Sequence, residues 1–365
     1  MSKNIVIMIA GGGTGGHIYP ALAIGKAITT LNSRCEVRFV GTSLGLEEKI
    51  MAKENVTLDL IESGKLNFSG KPLRKMKALG SIVVGFFQSL ALIKKHQPDF
   101  ILGVGGYASA PFLLAGAFLS RSCALWEPNA HPGMANRLLS RFVKKAYLVF
   151  TEAQNDLKSK DVQIVGMPLR QEIESARYIL QKSKSEKLRI LCFGGSQGSV
   201  FLNQQLSDLI LSSPELQMNI SVVHQTGMQD FENIKTKYAG LNCVEVHAFI
   251  YNMPDYYKNA DVLFCRGGAS TIAEAACFGV IPIVIPLPAA DDHQRKNAEV
   301  LVQHQAGYML LQNEFSIEKL KQIIKQLMTD LVGRENKVNQ LKRLTSEKAA
   351  ETIAKDILQM IEVKK

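Results

Sequence analysis

The first stretch that could carry chemistry is GGGTGGH at residues 11–17, which directly follows the apolar run 5–10. Glycines have no side chain, so their backbone N–H groups can approach an anion at the N-terminus of a following helix. The imidazole of His17, at the end of this stretch, could take a proton from a hydroxyl group. The stretch therefore predicts a phosphate-type anion site beside a general base. A tight turn without a ligand is the alternative for this motif taken alone.

The same stretch matches the GxGxxG pattern of dinucleotide-binding proteins through Gly11, Gly13 and Gly16. Such a site also needs an acidic residue at the end of the second strand, about 20 residues further on, to bind the ribose. That strand ends at residues 39–43 in Phe-Val-Gly-Thr-Ser, which contains no acid. Hydride transfer from a nicotinamide is therefore disfavoured.

Two further glycine-containing stretches lie in the second half of the chain. GGSQG at residues 194–198 follows an apolar run, and we expect Ser196 to donate its hydroxyl to a phosphate and to help cap the next helix. CRGGASTIAE at residues 265–274 predicts a helix N-terminus suited to anions. Glu274 lies one turn inside that helix, where it could accept hydrogen bonds from ribose hydroxyls; a solvated helix acid is the alternative.

Two other loops carry polar residues that turn chemistry could also explain. WEPNAHPG at residues 126–133 places three polar side chains after a predicted strand, while Pro and Gly there are typical of a turn. Asp291 and Asp292 invite a metal site, but no third ligand has a suitable spacing. We therefore expect this pair to cap the helix that follows.

Parallel sheets are predicted to position these stretches, because short apolar runs alternate with helical patterns along the whole chain. The chain has 365 residues, more than most single cores accommodate, so two domains are expected. Both halves open with a buried strand, a glycine-rich turn and a helix start, which predicts two similar α/β domains with ligands at the carboxyl ends of their strands. The predicted strands are 5–10, 36–40, 100–104, 124–127, 146–150, 189–193, 221–224, 243–248, 262–265 and 281–285.

Composition indicates a globular protein in a reducing compartment, since 46% of residues are hydrophobic and the six cysteines form no CxxC pair. The net charge of +10 suits anionic substrates, an anionic membrane surface or nucleic acid. Nucleic acid is the least favoured of the three, because no helix-turn-helix or zinc-binding spacing is present. The first residues lead straight into a strand, so we expect no signal peptide, and the longest apolar stretch, 78–93, is too short to span a bilayer.

Five basic residues precede or enter this apolar stretch: Lys65, Lys71, Arg74, Lys75 and Lys77. Basic side chains beside an exposed apolar helix suit an anionic membrane surface. A core helix flanked by solvated lysines is the alternative that the pattern leaves open.

Eight stretches occur in a characteristic order over nearly the whole chain: GGTGGH (12–17), GGYASAP (105–111), EPN with a following N-R (127–137), GMPLR (166–170), GGSQGS (194–199), AFI (248–250), CRGGASTIAE (265–274) and DHQRKNA (292–298). With these the chain resembles the MurG family of bacterial glycosyltransferases, family 28, which makes lipid II of peptidoglycan. The resemblance implies the α/β GT-B fold, in which two Rossmann-like domains with parallel sheets face each other across a cleft. It implies an N-terminal domain for the acceptor and the membrane over 1–165, joined by a helix at about 347–365, and a UDP-GlcNAc-binding domain over 166–346.

The reaction that the resemblance implies transfers N-acetylglucosamine from UDP-GlcNAc to the muramyl 4-hydroxyl of undecaprenyl-linked lipid I, with inversion at the anomeric carbon. UDP-GlcNAc and lipid I would be the partners, with no nucleic acid, no metal ligands and no tightly bound cofactor, and with indirect stimulation by Mg²⁺ left open. The resemblance also favours a membrane role for residues 65–87, and hence a peripheral position on the cytoplasmic face of the bacterial cell membrane. The alternatives are another GT-B enzyme, such as a diacylglycerol glycosyltransferase or a UDP-GlcNAc 2-epimerase, and a non-catalytic nucleotide-sugar-binding protein.

The resemblance also implies site residues, carried over by motif match. The donor would contact Thr14, Gly15, Gly16, Asn129, Arg170, Ser196, Ile250, Ala269, Ser270, Thr271, Ile272, Ala273, Glu274 and Gln294. Uracil would lie against the main chain of Ile250, the ribose on Glu274, and the pyrophosphate at the helix that residues 269–271 open. We take His17 as the candidate catalytic base and Glu127 as the second candidate.

Overall fold

The computed structural model describes residues 4–43, 47–64, 72–177, 186–289 and 291–363, with only the backbone for 72–79. The chain divides into two compact units. Unit 1 comprises Met1–Arg170 and Ser346–Lys365, and unit 2 comprises Gln171–Thr345. The basic side chains predicted to contact a membrane (Lys65, Lys71, Arg74, Lys75 and Lys77) lie outside the described residues or outside the described side chains.

Unit 1 is built on a parallel sheet of seven strands in the order β3-β2-β1-β4-β5-β6-β7. The strands are β1 (Ile5–Ala10), β2 (Cys35–Gly41), β3 (Leu58–Leu60), β4 (Phe100–Gly103), β5 (Ser122–Glu127), β6 (Lys145–Leu148) and β7 (Asp161–Ile164). The helices are α1 (Gly15–Leu31), α2 (Glu47–Lys53), α3 (Pro72–His96), α4 (Ser109–Phe118) and α5 (Met134–Leu139), with 3-10 helices at Ser140–Phe142 and Thr151–Asp156.

Unit 2 is built on a parallel sheet of six strands in the order β10-β9-β8-β11-β12-β13. The strands are β8 (Leu188–Phe193), β9 (Ile220–Gln225), β10 (Val244–His247), β11 (Val262–Cys265), β12 (Ile281–Val284) and β13 (Tyr308–Met309). The helices are α6 (Gln171–Ala176), α7 (Val200–Leu211), α8 (Pro214–Gln217), α9 (Phe231–Lys237), α10 (Met253–Asn259), α11 (Ala269–Phe278), α12 (His293–Gln303), α13 (Ile317–Thr329) and α14 (Leu331–Arg343).

The last helix, α15 (Ala349–Glu362), returns to unit 1 and packs against α1. An ionic contact holds it there: Asp356 accepts hydrogen bonds from Lys145 Nζ (3.0 Å) and from the Tyr147 hydroxyl (2.6 Å), both on β6. Burial and the neighbouring carboxylate raise the pKa of Tyr147. The phenol therefore stays protonated and remains a donor to Asp356.

The central strands are mostly apolar, because both faces of a parallel sheet are covered by helices. The exceptions lie at strand ends, with Ser122 and Glu127 on β5 and Lys145 on β6. Every residue of β4, β5, β6, β11 and β12 is buried. The ten strands predicted from the sequence are confirmed, with ends that agree to within two residues. Three short strands at or near the sheet edges, β3, β7 and β13, were not predicted. Within the described ranges, no helix is both long and apolar enough to cross a bilayer.

Candidate functional site

In unit 1, two glycine turns pack against each other at the carboxyl ends of the neighbouring strands β1 and β4. The N–H of Gly12 donates to the Gly105 carbonyl oxygen (3.3 Å). Gly106 has a φ of +79°, and a Cβ at this position would collide with the carbonyl oxygen of Gly12. The contact between the two turns thus requires glycine at residue 106, whatever ligand the turns bind.

His17 lies in the first turn of α1, beside this pair of turns. Its Nδ1 is 3.3 Å from Thr14 Oγ1, and the Nε2 side of the ring packs against Gly105. In the tautomer in which Nδ1–H donates to the Thr14 hydroxyl, Nε2 carries the lone pair that can accept a proton. Gly15 and Gly16 are the first residues of α1, so their N–H groups are among those that a helix start leaves without an intrahelical partner.

A carboxylate reaches the glycine turn from a position that the sequence analysis did not consider. Strand β2 ends without an acid, as expected, but Glu47 at the start of α2 is buried against the α-carbon of Gly12. The Thr42 hydroxyl donates to its Oε1 (3.2 Å). A side chain at Gly12 would displace this acid, so the turn and Glu47 form one packed unit.

Glu127, the second candidate base, is 1% exposed at the end of β5. Its Oε1 accepts from the backbone N and from Nδ2 of Asn129, both at 3.0 Å. Its Oε2 accepts from the Gly133 backbone N (3.0 Å) and from Asn136 Nδ2 (2.8 Å). Burial raises the pKa of Glu127, and these four hydrogen bonds oppose the shift. In this geometry the carboxylate organises the loop that carries Asn129, and Asn129 contacts it directly.

Arg170 is the last residue of the first segment of unit 1. Its guanidinium lies 5.0 Å from the centre of the Tyr19 ring, a cation–π contact with a residue of α1. The arginine predicted to contact the donor is therefore tied to the helix that also carries His17.

In unit 2, the turn after β8 packs against a second turn after β9, as in unit 1. Gly198 has a φ of +78°, and a Cβ there would collide with the Thr226 carbonyl oxygen. Ser196 lies on this turn and is exposed, as a phosphate-binding hydroxyl would need to be. The prediction that Ser196 helps to cap the next helix is wrong, because the N-cap of α7 is Ser199, whose Oγ accepts from Leu202 N (3.4 Å). The turn is three residues longer than the prediction assumed.

Ile250 is buried, and its backbone N–H donates to Gln225 Oε1 (2.9 Å). Gln225 is the last residue of β9, and its Nε2 also donates to the Gly195 carbonyl oxygen (3.0 Å). The side chain of Gln225 thus connects the glycine turn with the segment predicted to contact uracil. Sequence reasoning missed this residue.

Arg266 is a second residue that the sequence did not single out, although it lies inside the stretch CRGGASTIAE at residues 265–274. Its Nη2 donates to the Ser199 hydroxyl (2.9 Å), and its Nη1 donates to the Ile285 carbonyl oxygen (3.1 Å) and to Gln312 Oε1 (3.0 Å). Burial lowers the pKa of Arg266. The guanidinium therefore joins the start of α7 to the loop that follows β12.

The N-terminus of α11 follows β11, as predicted. Its N-cap is Gly268, and the first intrahelical bond runs from the Ile272 N–H to the Gly268 carbonyl oxygen (3.0 Å). The N–H groups of residues 269–271 are therefore the ones that the helix leaves available to an anion. The side chains of Ala269, Ile272 and Ala273 are buried in the unit, whereas those of Ser270, Thr271 and Glu274 are partly exposed. The second group therefore presents polar side chains toward solvent, while residues 269–271 offer their main-chain N–H groups.

Gln294 holds the loop before α11 in place. Its Oε1 accepts from the backbone N of Gly267 and of Leu287, both at 3.0 Å, which leaves its Nε2 as the donor group of this side chain.

The predicted capping role of the aspartate pair is wrong in part. Asp292 occupies the N-cap of α12, but it has a φ of +51° and its side chain makes no capping hydrogen bond.

The structure thus gathers the predicted residues into two groups, one in each unit. The unit 1 group is Thr14, Gly15, Gly16, His17, Glu127, Asn129 and Arg170. The unit 2 group is Ser196, Ile250, Ala269, Ser270, Thr271, Ile272, Ala273, Glu274 and Gln294. Most of them lie after the carboxyl ends of parallel strands, where sheets of this kind bind ligands.

Two family models match the chain, one for each unit. The N-terminal domain of glycosyltransferase family 28 matches residues 7–148, and the C-terminal domain of the same family matches residues 189–357. A solved structure described as MurG of Acinetobacter baumannii superposes with a TM-score of 0.80 at 29% identity, covering 98% of this chain and 100% of that one. A UDP-N-acetylglucosamine 2-epimerase of Listeria monocytogenes also superposes, with a TM-score of 0.69, but at 13% identity it shows the shared fold alone. The fold of the chain is GT-B.

Curated relatives match over almost their full length. A protein of Bdellovibrio bacteriovorus is 50% identical over 360 residues, which cover 98% of this chain and 99% of that protein. A protein of Myxococcus xanthus is 36% identical over 96% of this chain and 93% of its own length. Both are named UDP-N-acetylglucosamine--N-acetylmuramyl-(pentapeptide) pyrophosphoryl-undecaprenol N-acetylglucosamine transferase. With both domain models and these relatives in agreement, the chain belongs to glycosyltransferase family 28.

Proposed function

We propose that this chain transfers N-acetylglucosamine from UDP-GlcNAc to the muramyl 4-hydroxyl of undecaprenyl-pyrophosphoryl-MurNAc-pentapeptide, with inversion, and so makes lipid II. The observation that supports this most is the 50% identity, over nearly the whole of both chains, to a protein named for this transfer. Unit 1 takes the acceptor and unit 2 takes the nucleotide in this proposal.

His17 is the proposed base. Its Nε2 takes the proton of the 4-hydroxyl as that oxygen forms its bond to the anomeric carbon of the donor sugar. The contact between Nδ1 and Thr14 supports this role, because a hydroxyl at Nδ1 keeps the lone pair on Nε2. Glu127 is less suited, since it is buried and both of its oxygens already accept hydrogen bonds, three from the loop of Asn129 and Gly133 and one from Asn136 on α5.

The leaving group is UDP, which takes the electron pair of the broken bond between the anomeric carbon and the β-phosphate oxygen. Its added charge would be stabilised by the N–H groups at the start of α11, by the Ser196 hydroxyl and by Arg170. Glu274 would hold the ribose hydroxyls and the Ile250 main chain would contact uracil. Asn129 and the Nε2 of Gln294 would bind the donor sugar.

A UDP-release assay with UDP-GlcNAc and a lipid I analogue tests the proposal. We expect UDP to appear only when both substrates are present, whereas a 2-epimerase would convert UDP-GlcNAc without the acceptor and a binding protein would release none. His17→Ala should lower kcat by about 10²–10⁴-fold with little change in donor affinity. The matched control is His304→Ala, at the exposed end of α12, which should retain full activity. An unchanged kcat in His17→Ala would remove this residue as the base.

We also propose that unit 1 binds the cytoplasmic face of an anionic membrane as a peripheral protein. Besides the basic region 65–77, an apolar patch on α3 and α4 supports this: Phe87 is 63% exposed and Phe118 is 72% exposed. Both lie beside Phe86, whose ring centroid is 5.7 Å from that of Phe87 and 6.1 Å from that of Phe118. Exposed apolar side chains next to basic ones are what an interfacial segment presents to anionic lipids.

Sedimentation with phosphatidylglycerol vesicles tests the membrane proposal. The double variant Phe87→Ser/Phe118→Ser should bind these vesicles more weakly, and reversing the charge of Lys71, Arg74 and Lys75 should weaken binding in a salt-dependent way. Met218→Ser is the control, because it removes an exposed apolar residue from unit 2 (76% exposed). Equal vesicle binding by the double variant and the control would contradict the proposal.

A further inference from the structure

Gln225 occupies the position in unit 2 where three structural features meet. It is the last residue of β9, which pairs with β8 on one side and with β10 on the other. Its register partners are Phe193, directly before the glycine turn, and His247, three residues before Ile250. The topology alone therefore places this side chain next to both the phosphate-type turn and the segment predicted to contact the base.

Both polar atoms of the Gln225 amide are used within the protein. Nε2 donates to the Gly195 carbonyl oxygen (3.0 Å), and Oε1 accepts from the Ile250 N–H (2.9 Å). The residue is 2% exposed, so these bonds lie away from solvent. A planar amide bonded at both ends acts as a rigid spacer, because neither bond can move without breaking the other.

A second buried side-chain network fixes the surroundings of Gln225. Asn203 Nδ2 donates to the Thr226 carbonyl oxygen (2.9 Å), and Asn203 Oδ1 lies 3.1 Å from His224 Nε2. Burial lowers the pKa of His224 to about 4, so the ring is neutral near pH 7. Asn203 Nδ2 also donates to Asp230 Oδ2 (2.8 Å), which fixes the orientation of the Asn203 amide. Gln225 is the side chain that extends from this network to Ile250.

From this arrangement we infer that Gln225 is a positioning residue for nucleobase selectivity: it fixes the Ile250 main chain at a set distance from the glycine turn. The inference rests on the proposed function, in which uracil lies against Ile250. With the Ile250 N–H held by Gln225, the other main-chain polar group of this residue is its carbonyl oxygen, an acceptor. Uracil presents an N3–H donor to such an acceptor, whereas cytosine presents a lone pair at N3, so a fixed carbonyl separates the two bases.

The test is to measure dissociation constants of UDP and CDP by titration calorimetry on the whole protein. Gln225→Leu removes the hydrogen bonds to Gly195 and Ile250 and puts an apolar side chain of similar size in place of the amide. We expect UDP to bind about ten-fold more weakly, a change of about 1.4 kcal/mol, and CDP to change by less than about three-fold. The UDP-to-CDP selectivity should therefore fall. Gln217→Ala is the matched control, because it also removes a hydrogen bond from a glutamine amide to a backbone carbonyl of unit 2 (Nε2 to Ile210 O, 2.8 Å).

Gln225→Glu separates the two bonds and keeps the shape of the side chain if Gln225→Leu fails to fold. A carboxylate still accepts from the Ile250 N–H but cannot donate to Gly195, so both nucleotides should weaken by the same factor and the selectivity should be retained. Equal weakening of UDP and CDP in Gln225→Leu, unchanged UDP binding in that variant, or lost selectivity in Gln225→Glu would each overturn the inference. The proposed function fails differently: the unmodified protein would then release no UDP in the presence of the acceptor. If the unmodified protein does not bind UDP, both fail.

Discussion

Replacing Glu127 with glutamine tests whether this carboxylate organises a loop or acts as a base. Each carboxylate oxygen of Glu127 accepts hydrogen bonds from two N–H donors. The substitution keeps one of these oxygens and puts an NH₂ group in place of the other. The side-chain amide of Asn129 can flip to present an oxygen to this NH₂ group, whereas a flip of Asn136 also gives up its hydrogen bond to the Trp126 carbonyl oxygen (3.3 Å). The backbone N–H of Asn129 or of Gly133 cannot flip, so in either orientation one buried backbone donor faces another donor.

The magnitude follows from this count. A buried donor left without a partner costs about 1–3 kcal/mol, and the remaining bonds lose the strength that the negative charge gives them. Burial raises the pKa of Glu127 because it disfavours the charged carboxylate. A neutral amide does not carry this cost, and its absence offsets part of the loss. We expect the free energy of unfolding of unit 1 to fall by about 2 kcal/mol, which for a unit of this size lowers its Tm by roughly 4–8 °C.

Thermal unfolding followed by circular dichroism measures the effect, with Glu48→Gln as the control because Glu48 is exposed on α2. Steady-state kinetics on the same samples should show a raised KM for UDP-GlcNAc, since Asn129 loses its anchor. A Glu127→Gln variant with an unchanged Tm and a kcat reduced by about 10²-fold or more would behave as a lost base. That result would refute the assignment of Glu127 to the loop.

Three further outcomes are expected. Gly106→Ala should destabilise unit 1 by more than about 3 kcal/mol, because the new Cβ meets a carbonyl oxygen at a φ of +79°. Gly80→Ala on α3, where no described atom lies within 4 Å of the new Cβ, should instead stabilise by about 0.5–1 kcal/mol in thermal unfolding. Asp356→Ala removes the acceptor of the Tyr147 hydroxyl and one of the two carboxylates paired with Lys145, the other being Asp161 (3.3 Å), and should cost about 2 kcal/mol, measured by urea unfolding and by proteolytic release of α15. Burial lowers the pKa of His224 to about 4, whereas the pKa of a histidine in the unfolded chain is about 6.5. The unfolded chain therefore binds this proton more readily between these two pH values. Unit 2 should lose up to about 3 kcal/mol of stability as the pH falls through that window. A pH dependence of the Tm of unit 2 that is the same in His224→Asn as in the unmodified protein would contradict this last expectation.

The central strands could be predicted from the sequence because burial on both faces gives each a short, mostly apolar run. Strands β3, β7 and β13 could not, since they have two to four residues and none is buried along its length. Edge strands of this kind are defined by the neighbour with which they pair, and that information is not local.

The same distinction separates the candidate site residues that the sequence suggests from those that only the structure suggests. Ser196, His17 and Glu274 lie within short motifs whose spacing suggests chemistry. Gln225 contacts Gly195 and Ile250, and Glu47 contacts Gly12. These partners are distant in sequence, so no local pattern identifies either residue. The N-cap at Ser199 was missed for a related reason, because the length of a glycine turn depends on the second turn against which it packs.

The glycine runs of the two halves have a structural role that does not depend on a ligand. In both units a turn at the end of the first strand interlocks with a second glycine turn, after β4 in unit 1 and after β9 in unit 2. Glycine at residues 106 and 198 is needed for that backbone contact before any ligand is considered. The glycines therefore indicate where two turns form a rigid floor. In the proposed function, the side chains beside this floor then take the specific roles, His17 as the base beside one pair of turns and Gln225 as the positioning residue beside the other.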